Sequence, residues 1–159
     1  MPVILRAAQS ADVPLILSFI RDLATYEELL EEVEATEEKL HATLFGPAPV
    51  AECIIALADD DQPAGFAIFF KTYSTFLARP GLYLEDLFVR PDYRGRGIGT
   101  AILTHLAQLA LQRNYGRVEW SVLDWNTSAI AFYESFGARR LREWQICRLT
   151  GDALAAHRG

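Results

Sequence analysis

The run Asp92-Tyr93-Arg94-Gly95-Arg96-Gly97-Ile98-Gly99-Thr100 constrains the fold more than any other stretch of this chain. It follows Leu82 to Val89, an apolar segment that reads as a buried strand, and it leads into Ala101 to Leu111, which reads as a helix. A strand, a glycine-rich turn and a helix N-terminus together form an anion cradle. The unpaired amides of the first helical turn point outward, and the helix dipole favours negative charge there. Gly95, Gly97 and Gly99 let the backbone approach a bulky ligand and take positive φ where needed. Arg94 and Arg96 add positive charge, so the ligand implied is a phosphate or pyrophosphate.

Spelling excludes two familiar phosphate loops. A Walker loop ends in Gly-Lys-Ser/Thr, whereas Gly97 is followed by Ile98 and Gly99. A dinucleotide fingerprint starting at Gly95 would need glycine where Thr100 stands. A glycine-rich αβ turn that holds no ligand is the remaining bland alternative.

The chain has 159 residues, 51% of them hydrophobic, which suits one domain over 1–159 with a proper core. Its formal net charge of −6 argues against a nucleic-acid partner, which calls for a basic face. No apolar run reaches the length of a membrane span. The start, Met1-Pro2-Val3-Ile4-Leu5-Arg6, lacks the charged opening and cleavage site of a signal peptide. Cys53 and Cys147 sit in apolar runs and read as buried free thiols in a reducing compartment, so a cytoplasmic location is expected. No cluster of cysteine and histidine has metal-ligand spacing, so no metal is expected.

Along the chain, Val3 to Ala7 reads as a strand and Ser10 as the cap of a helix from about Asp12 to Tyr26. An acidic stretch from Glu27 to Glu38 reads as a solvated face, with steering of a polycation as its functional alternative. Thr36 caps a helix through Leu44. Ala51 to Ala58 and Ala64 to Phe70 read as strands about the turn Asp59-Asp60-Asp61-Gln62-Pro63, and Thr72 to Pro80 as a loop. Beyond the glycine-rich turn come a long helix closing near Asn114, a strand over Arg117 to Leu123, and a helix from Asn126 to Phe136 stopped by Gly137. Arg140 to Leu149 reads as a strand or strand pair, and Thr150 to His157 as a short tail helix. The order βααβββαβαβ describes an α/β protein with helices on both faces of a mixed sheet.

The spacing Arg94-x-x-Gly97-x-Gly99 resembles the Arg/Gln-x-x-Gly-x-Gly/Ala motif of the GNAT acetyltransferases. Other matching runs are Ile4-Leu5-Arg6-Ala7-Ala8, Leu23-Ala24-Thr25-Tyr26-Glu27, Tyr83-Leu84-Glu85-Asp86-Leu87-Phe88-Val89, Trp125-Asn126 and Phe132-Tyr133-Glu134-Ser135-Phe136-Gly137-Ala138. Within the superfamily the chain is similar to the diamine (spermidine/spermine) N-acetyltransferase branch, with thialysine acetyltransferases looking alike at Tyr83 to Asp86. The resemblance implies a mixed, mostly antiparallel, twisted sheet of about six or seven strands with about four helices, and splayed central parallel strands. It also implies acetyl-CoA as cosubstrate, a small primary amine as acceptor and a homodimer with C-terminal strands and Trp144 at its interface.

Acetyl transfer from a thioester to an amine sets three requirements. The amine must shed its proton, which for a lysine-like pKa near 10.4 costs about 4.6 kcal/mol at pH 7. The resemblance assigns that proton to Glu85, acting through water. A carboxylate that attracts the cationic amine also raises its pKa, so Glu85 cannot maximise both effects, and substrate binding at the distal nitrogen is shared by Glu85 with Asp86, Tyr26 and Glu27. Glu85 and Asp86 face opposite sides of a regular strand, and a bulge would change that. The oxyanion needs donors, and main-chain amides of Leu87, Phe88 and Val89 can supply them. The departing thiolate needs a proton, and Tyr133 matches the family's acid; read alone, it is a core aromatic beside Phe132 and Phe136. The diphosphate is assigned to the main chain of Arg94, Gly95, Arg96, Gly97, Ile98, Gly99 and Thr100. Asn126 is a helix cap that the resemblance also places on the coenzyme arm. Trp125 reads as a packing residue. A GNAT module that binds acetyl-CoA without turnover, and a protein lysine or N-terminal acetyltransferase, are the competing readings.

Overall fold

β-Branched and aromatic residues gather in the segments that pair as strands. In the computed structural model these are β1 (Ile4–Ala7), β2 (Glu52–Leu57), β3 (Pro63–Ser74), β4 (Arg79–Val89) and β5 (Val118–Trp120). They form one sheet in sequence order, antiparallel from β1 to β4 and parallel between β4 and β5. The structure describes residues 3–159, so Met1 and Pro2 of the N-terminal reading lie outside it.

The sheet is mixed, as expected, but has five strands rather than six or seven. The strand expected over 140–149 does not form, and its Leu141, Trp144, Ile146 and Leu149 are exposed, as is Cys147, expected to be buried like Cys53. A strand needs a neighbour for its backbone groups and a surface for its apolar face, and alternation alone supplies neither. Conversely, the loop expected over 72–80 shrinks, because β3 and β4 pair as far as Ser74 opposite Arg79. The strand expected over 117–123 is confined to Val118–Trp120.

The helices are α1 (Val13–Tyr26), α2 (Glu37–Leu44), α3 (Ile98–Gln112), α4 (Thr127–Phe136) and α5 (Gly151–Ala155). Ser10 does not cap α1 but opens a 3₁₀ turn, Ser10–Asp12, ahead of it. The Asp12 carboxylate accepts from the Gln9 N–H at 2.7 Å and from both arms of Arg6 at 2.7 and 2.9 Å, and this pairing outcompetes a serine cap. Thr36 caps α2 as expected, its hydroxyl accepting from the Lys39 N–H at 3.1 Å.

The chain divides into two compact units, Met1–Ser121 and Val122–Gly159. In the first, α1 and α2 lay Val13, Ile16, Phe19 and Leu40 over Cys53, Ile55, Phe66, Ile68 and Phe88. Phe19 stacks on Phe66 with ring centroids 5.0 Å apart. Each such side chain, fully buried, contributes about 1.5–3 kcal/mol. The other face presents Ile54 and Phe69, which line a cavity of about 400 Å³ together with His105, Leu109 and Arg113 from the α3 side. Helices therefore flank both faces. The second unit carries α4 and α5.

Candidate active site

The centre of the site is a fault in the β3–β4 ladder. Phe69 pairs with Leu84 and Ile68 with Asp86, so Glu85 has no residue opposite it. Glu85 is therefore a bulge residue, and it is exposed. Directly opposed residues share a face. Leu84 thus lies on the side of Phe69, while Asp86 and Phe88 lie on the α1 side with Ile68 and Phe66. In a regular strand Asp86 would stay in phase with Leu84 and point the other way.

The same place is a fork between β4 and β5. Parallel pairing covers Leu82, Tyr83 and Leu84, opposite Val118, Glu119 and Trp120, and then stops. The Tyr83 and Ser121 hydroxyls hydrogen-bond at 2.8 Å across the fork, a contact that the sequence did not announce. Past the fork, Arg90 donates its N–H to Ala64 of the β3 side at 2.8 Å. By alternation the N–H groups of Leu87 and Val89 point away from β3, toward the edge that β5 has left. An extended ligand can pair with that edge as a strand would.

The glycine-rich turn fills the gap between β4 and α3. A 3₁₀ turn, Pro91–Tyr93, uses the Arg94 N–H, which donates to the Pro91 carbonyl at 3.2 Å. Gly95 and Gly97 both take positive φ, at 76° and 81°. A Cβ on either would meet nothing within 4 Å, so this side of the turn is open. Gly97 stands at the N-cap of α3 with no side-chain cap, and the first helical bond is Ala101 N–H to the Gly97 carbonyl at 2.9 Å. The N–H groups of Ile98, Gly99 and Thr100 therefore have no partner within the helix. These N–H groups lie in the segment where the sequence predicts an anion cradle, whereas the Arg94 N–H is used within the 3₁₀ turn.

The two arginines do not extend from the turn. Arg94 Nε donates to the Val89 carbonyl at 2.9 Å, and its guanidinium carbon lies 4.9 Å from the Tyr26 ring centroid and 5.4 Å from that of Phe88. Arg96 donates to the Asp92 carbonyl at 3.2 Å and lies over the Tyr93 ring.

Tyr26 ends α1, and Glu27 follows as its C-cap. Burial pushes the Glu27 carboxyl above its ordinary value. Asp86 is pushed up to about 6, first by burial and then by the charges of Glu85 and Glu27. The structure therefore brings Glu27, Glu85 and Asp86 into one electrostatic neighbourhood, together with Tyr26 through Arg94. Among the described residues no group of three or more histidine, cysteine, aspartate or glutamate side chains has a metal-holding arrangement. None of the described helices is long and apolar enough to cross a membrane.

In the unit Val122–Gly159, Asn126 is buried and caps α4, its side-chain oxygen accepting from the Ala129 N–H at 3.3 Å. Tyr133 is half-buried on α4, its ring 5.5 Å from that of Phe132. Gly137 ends the helix at φ 109°, and the Ala138 N–H returns to the Tyr133 carbonyl at 3.1 Å.

The chain as a whole is similar to known proteins. Residues 18–138 match the model of the acetyltransferase (GNAT) family. The chain is 38% identical to a thialysine N-epsilon-acetyltransferase of Bos taurus, over 96% of this chain and 95% of that protein. It is 37% identical to an L-ornithine N5-acetyltransferase of Arabidopsis thaliana, over 96% and 86%. An integron cassette protein from the mobile metagenome of V. cholerae superposes with a TM-score of 0.81 at 28% identity, over 98% of this chain and 97% of that one. The chain belongs to the GNAT family of acetyltransferases and is an N-acetyltransferase.

Proposed function

We propose that the protein transfers the acetyl group of acetyl-CoA to a primary amine of a small diamine-like acceptor, such as thialysine, ornithine or a polyamine, by direct attack in a ternary complex. The observation that carries this reading is the bulge at Glu85, which turns Asp86 to the α1 side where Glu27 ends the helix. Carboxylates there attract an acceptor carrying a second positive charge. Relatives named for thialysine and for ornithine, both molecules with more than one amine, support the same class.

In this reading the N–H groups of residues 95–100 hold the diphosphate, and those of Leu87 and Val89 hold the extended arm and polarise the thioester carbonyl. Leu87, Phe88 and Val89 line the arm, with Asn126 a further contact. Asp86, Glu27 and Tyr26 hold the acceptor's distal end. Glu85 takes the ammonium proton through water. The nitrogen then forms its bond to the acyl carbon, the carbon–sulfur bond breaks, Tyr133 gives the thiolate its proton, and the second proton shed by the nitrogen returns through water to Tyr133. No metal takes part. Residues 1–159 act as one catalytic domain, and a homodimer forms through the exposed C-terminal segment around Trp144.

A thiol-release assay across an amine panel tests the proposal. Thialysine, ornithine or spermidine should exceed a monoamine of equal length by about ten-fold or more in kcat/KM, the equivalent of roughly 1.4 kcal/mol. Coenzyme binding without thiol release for any amine would make the protein a sensor module. A preference for peptide amines would make it a protein acetyltransferase.

A further inference from the structure

Arg94, though exposed, folds back onto the ends of β4 and α1. Arg94 donates its Nε–H to the Val89 carbonyl, and its guanidinium carbon lies 4.9 Å from the Tyr26 ring centroid and 5.4 Å from that of Phe88. These three partners come from different parts of the site. Val89 ends β4 beside the open edge, Phe88 sits on the α1 face, and Tyr26 is the last residue of α1, next to Glu27. The open side of the turn, by contrast, is bounded by Gly95 and Gly97, where added side chains would meet nothing within 4 Å. Main-chain groups face the open side, and the Arg94 side chain faces the acceptor half.

We infer that Arg94 is a positioning residue for the acceptor side of the site. It clasps the end of α1 to the end of β4 and sets Tyr26 and Glu27 relative to the cradle. The inference rests on the acetyl-transfer reading above for its kinetic consequence, but the clasp itself stands on geometry. A lysine keeps the charge, yet it lacks the flat guanidinium and the Nε–H that the clasp uses. If Arg94 served chiefly as a charge for the diphosphate, lysine would replace it well.

The test compares Arg94→Lys and Arg94→Gln, each confirmed folded by thermal melting, with the wild-type chain. Both variants should lose about ten-fold in kcat/KM for the amine at saturating acetyl-CoA, while calorimetry shows coenzyme A affinity changed by less than about three-fold. In a Tyr26→Leu background the Arg94→Gln loss should shrink to about three-fold or less. A charge role predicts the reverse: lysine retains activity, glutamine costs coenzyme affinity ten-fold or more, and the loss is the same with or without Tyr26. Any one of these three results overturns the inference. A readout independent of turnover is the Arg94 Nε–H proton signal, which should be protected from exchange and shifted by the rings in the wild type and revert in Tyr26→Leu. An ordinary signal in the wild type refutes the clasp. Absence of thiol release from the wild type refutes the acetyl-transfer reading and leaves the proton signal and the calorimetry to judge Arg94.

Discussion

Asp86 stands directly opposite Ile68, on the side of the sheet that α1 covers. Its carboxyl, ordinarily near 3.8, is pushed up to about 6 by burial and by the charges of Glu85 and Glu27. The folded chain therefore holds this proton more tightly than the unfolded chain does. Below about pH 4 both states are protonated and Asp86 is neutral in its effect. Stability falls as pH rises from there to about 6, and above that the full cost, about 3 kcal/mol, is present. Asp86→Asn should raise the melting temperature by several degrees at pH 7.5 and by little at pH 3.5. Calorimetric melts at the two pH values decide it, and equal shifts at both would contradict the burial of Asp86.

Gly97→Ala places a Cβ where there is room but at a φ of 81° that L-residues resist. The cost of the left-handed conformation is about 1–2 kcal/mol. It is relieved if the turn shifts, which misaligns the N–H groups of the cradle. Coenzyme A affinity, measured by calorimetry, should drop about ten-fold, with a fall of a few degrees in melting temperature. Full retention of affinity would show that the N–H groups after Gly97 do not hold the diphosphate.

Tyr133→Phe removes a hydroxyl and leaves the ring against Phe132. Loss of a general acid should lower kcat by about a hundred-fold, with coenzyme affinity within about two-fold of wild type. Single-turnover thiol release measures the chemical step directly. An unchanged rate would return Tyr133 to a packing role.

Trp144 and Ile146 are 76% and 74% exposed in the single chain. If the segment around them joins two copies, Trp144→Glu should shift the protein from dimer to monomer in sedimentation analysis. A wild type that sediments as a monomer at micromolar concentration would dispose of the dimer.

Local chemistry made much of this molecule readable from its sequence. Thr36 and Asn126 cap helices because a short polar side chain reaches the third N–H of the helix that follows, a contact within one turn. Gly137 stops α4 and Gly97 starts α3 for equally local reasons. The fork and the bulge were legible only through the family resemblance, because two acids in an apolar strand say that something is unusual but not which residue drops out of the ladder. The contact of Arg94 with Tyr26 depends on where α1 ends in space, which no local pattern encodes. The absent strand over 140–149 failed for the same reason: its apolar residues suit a strand, but pairing depends on a partner.

The far end of α3 is fixed as firmly as its start is exposed. Arg113, just past the helix, makes a bidentate pair with Glu52 of β2 at 2.7 and 2.9 Å. A helix of 15 residues is about 22 Å long, and it behaves as a rod. Glu52 and Arg113 thus tether the C-terminal end of α3 to β2; under the proposed function, a change at either would re-aim the helix that carries the glycine-rich turn without touching the turn itself.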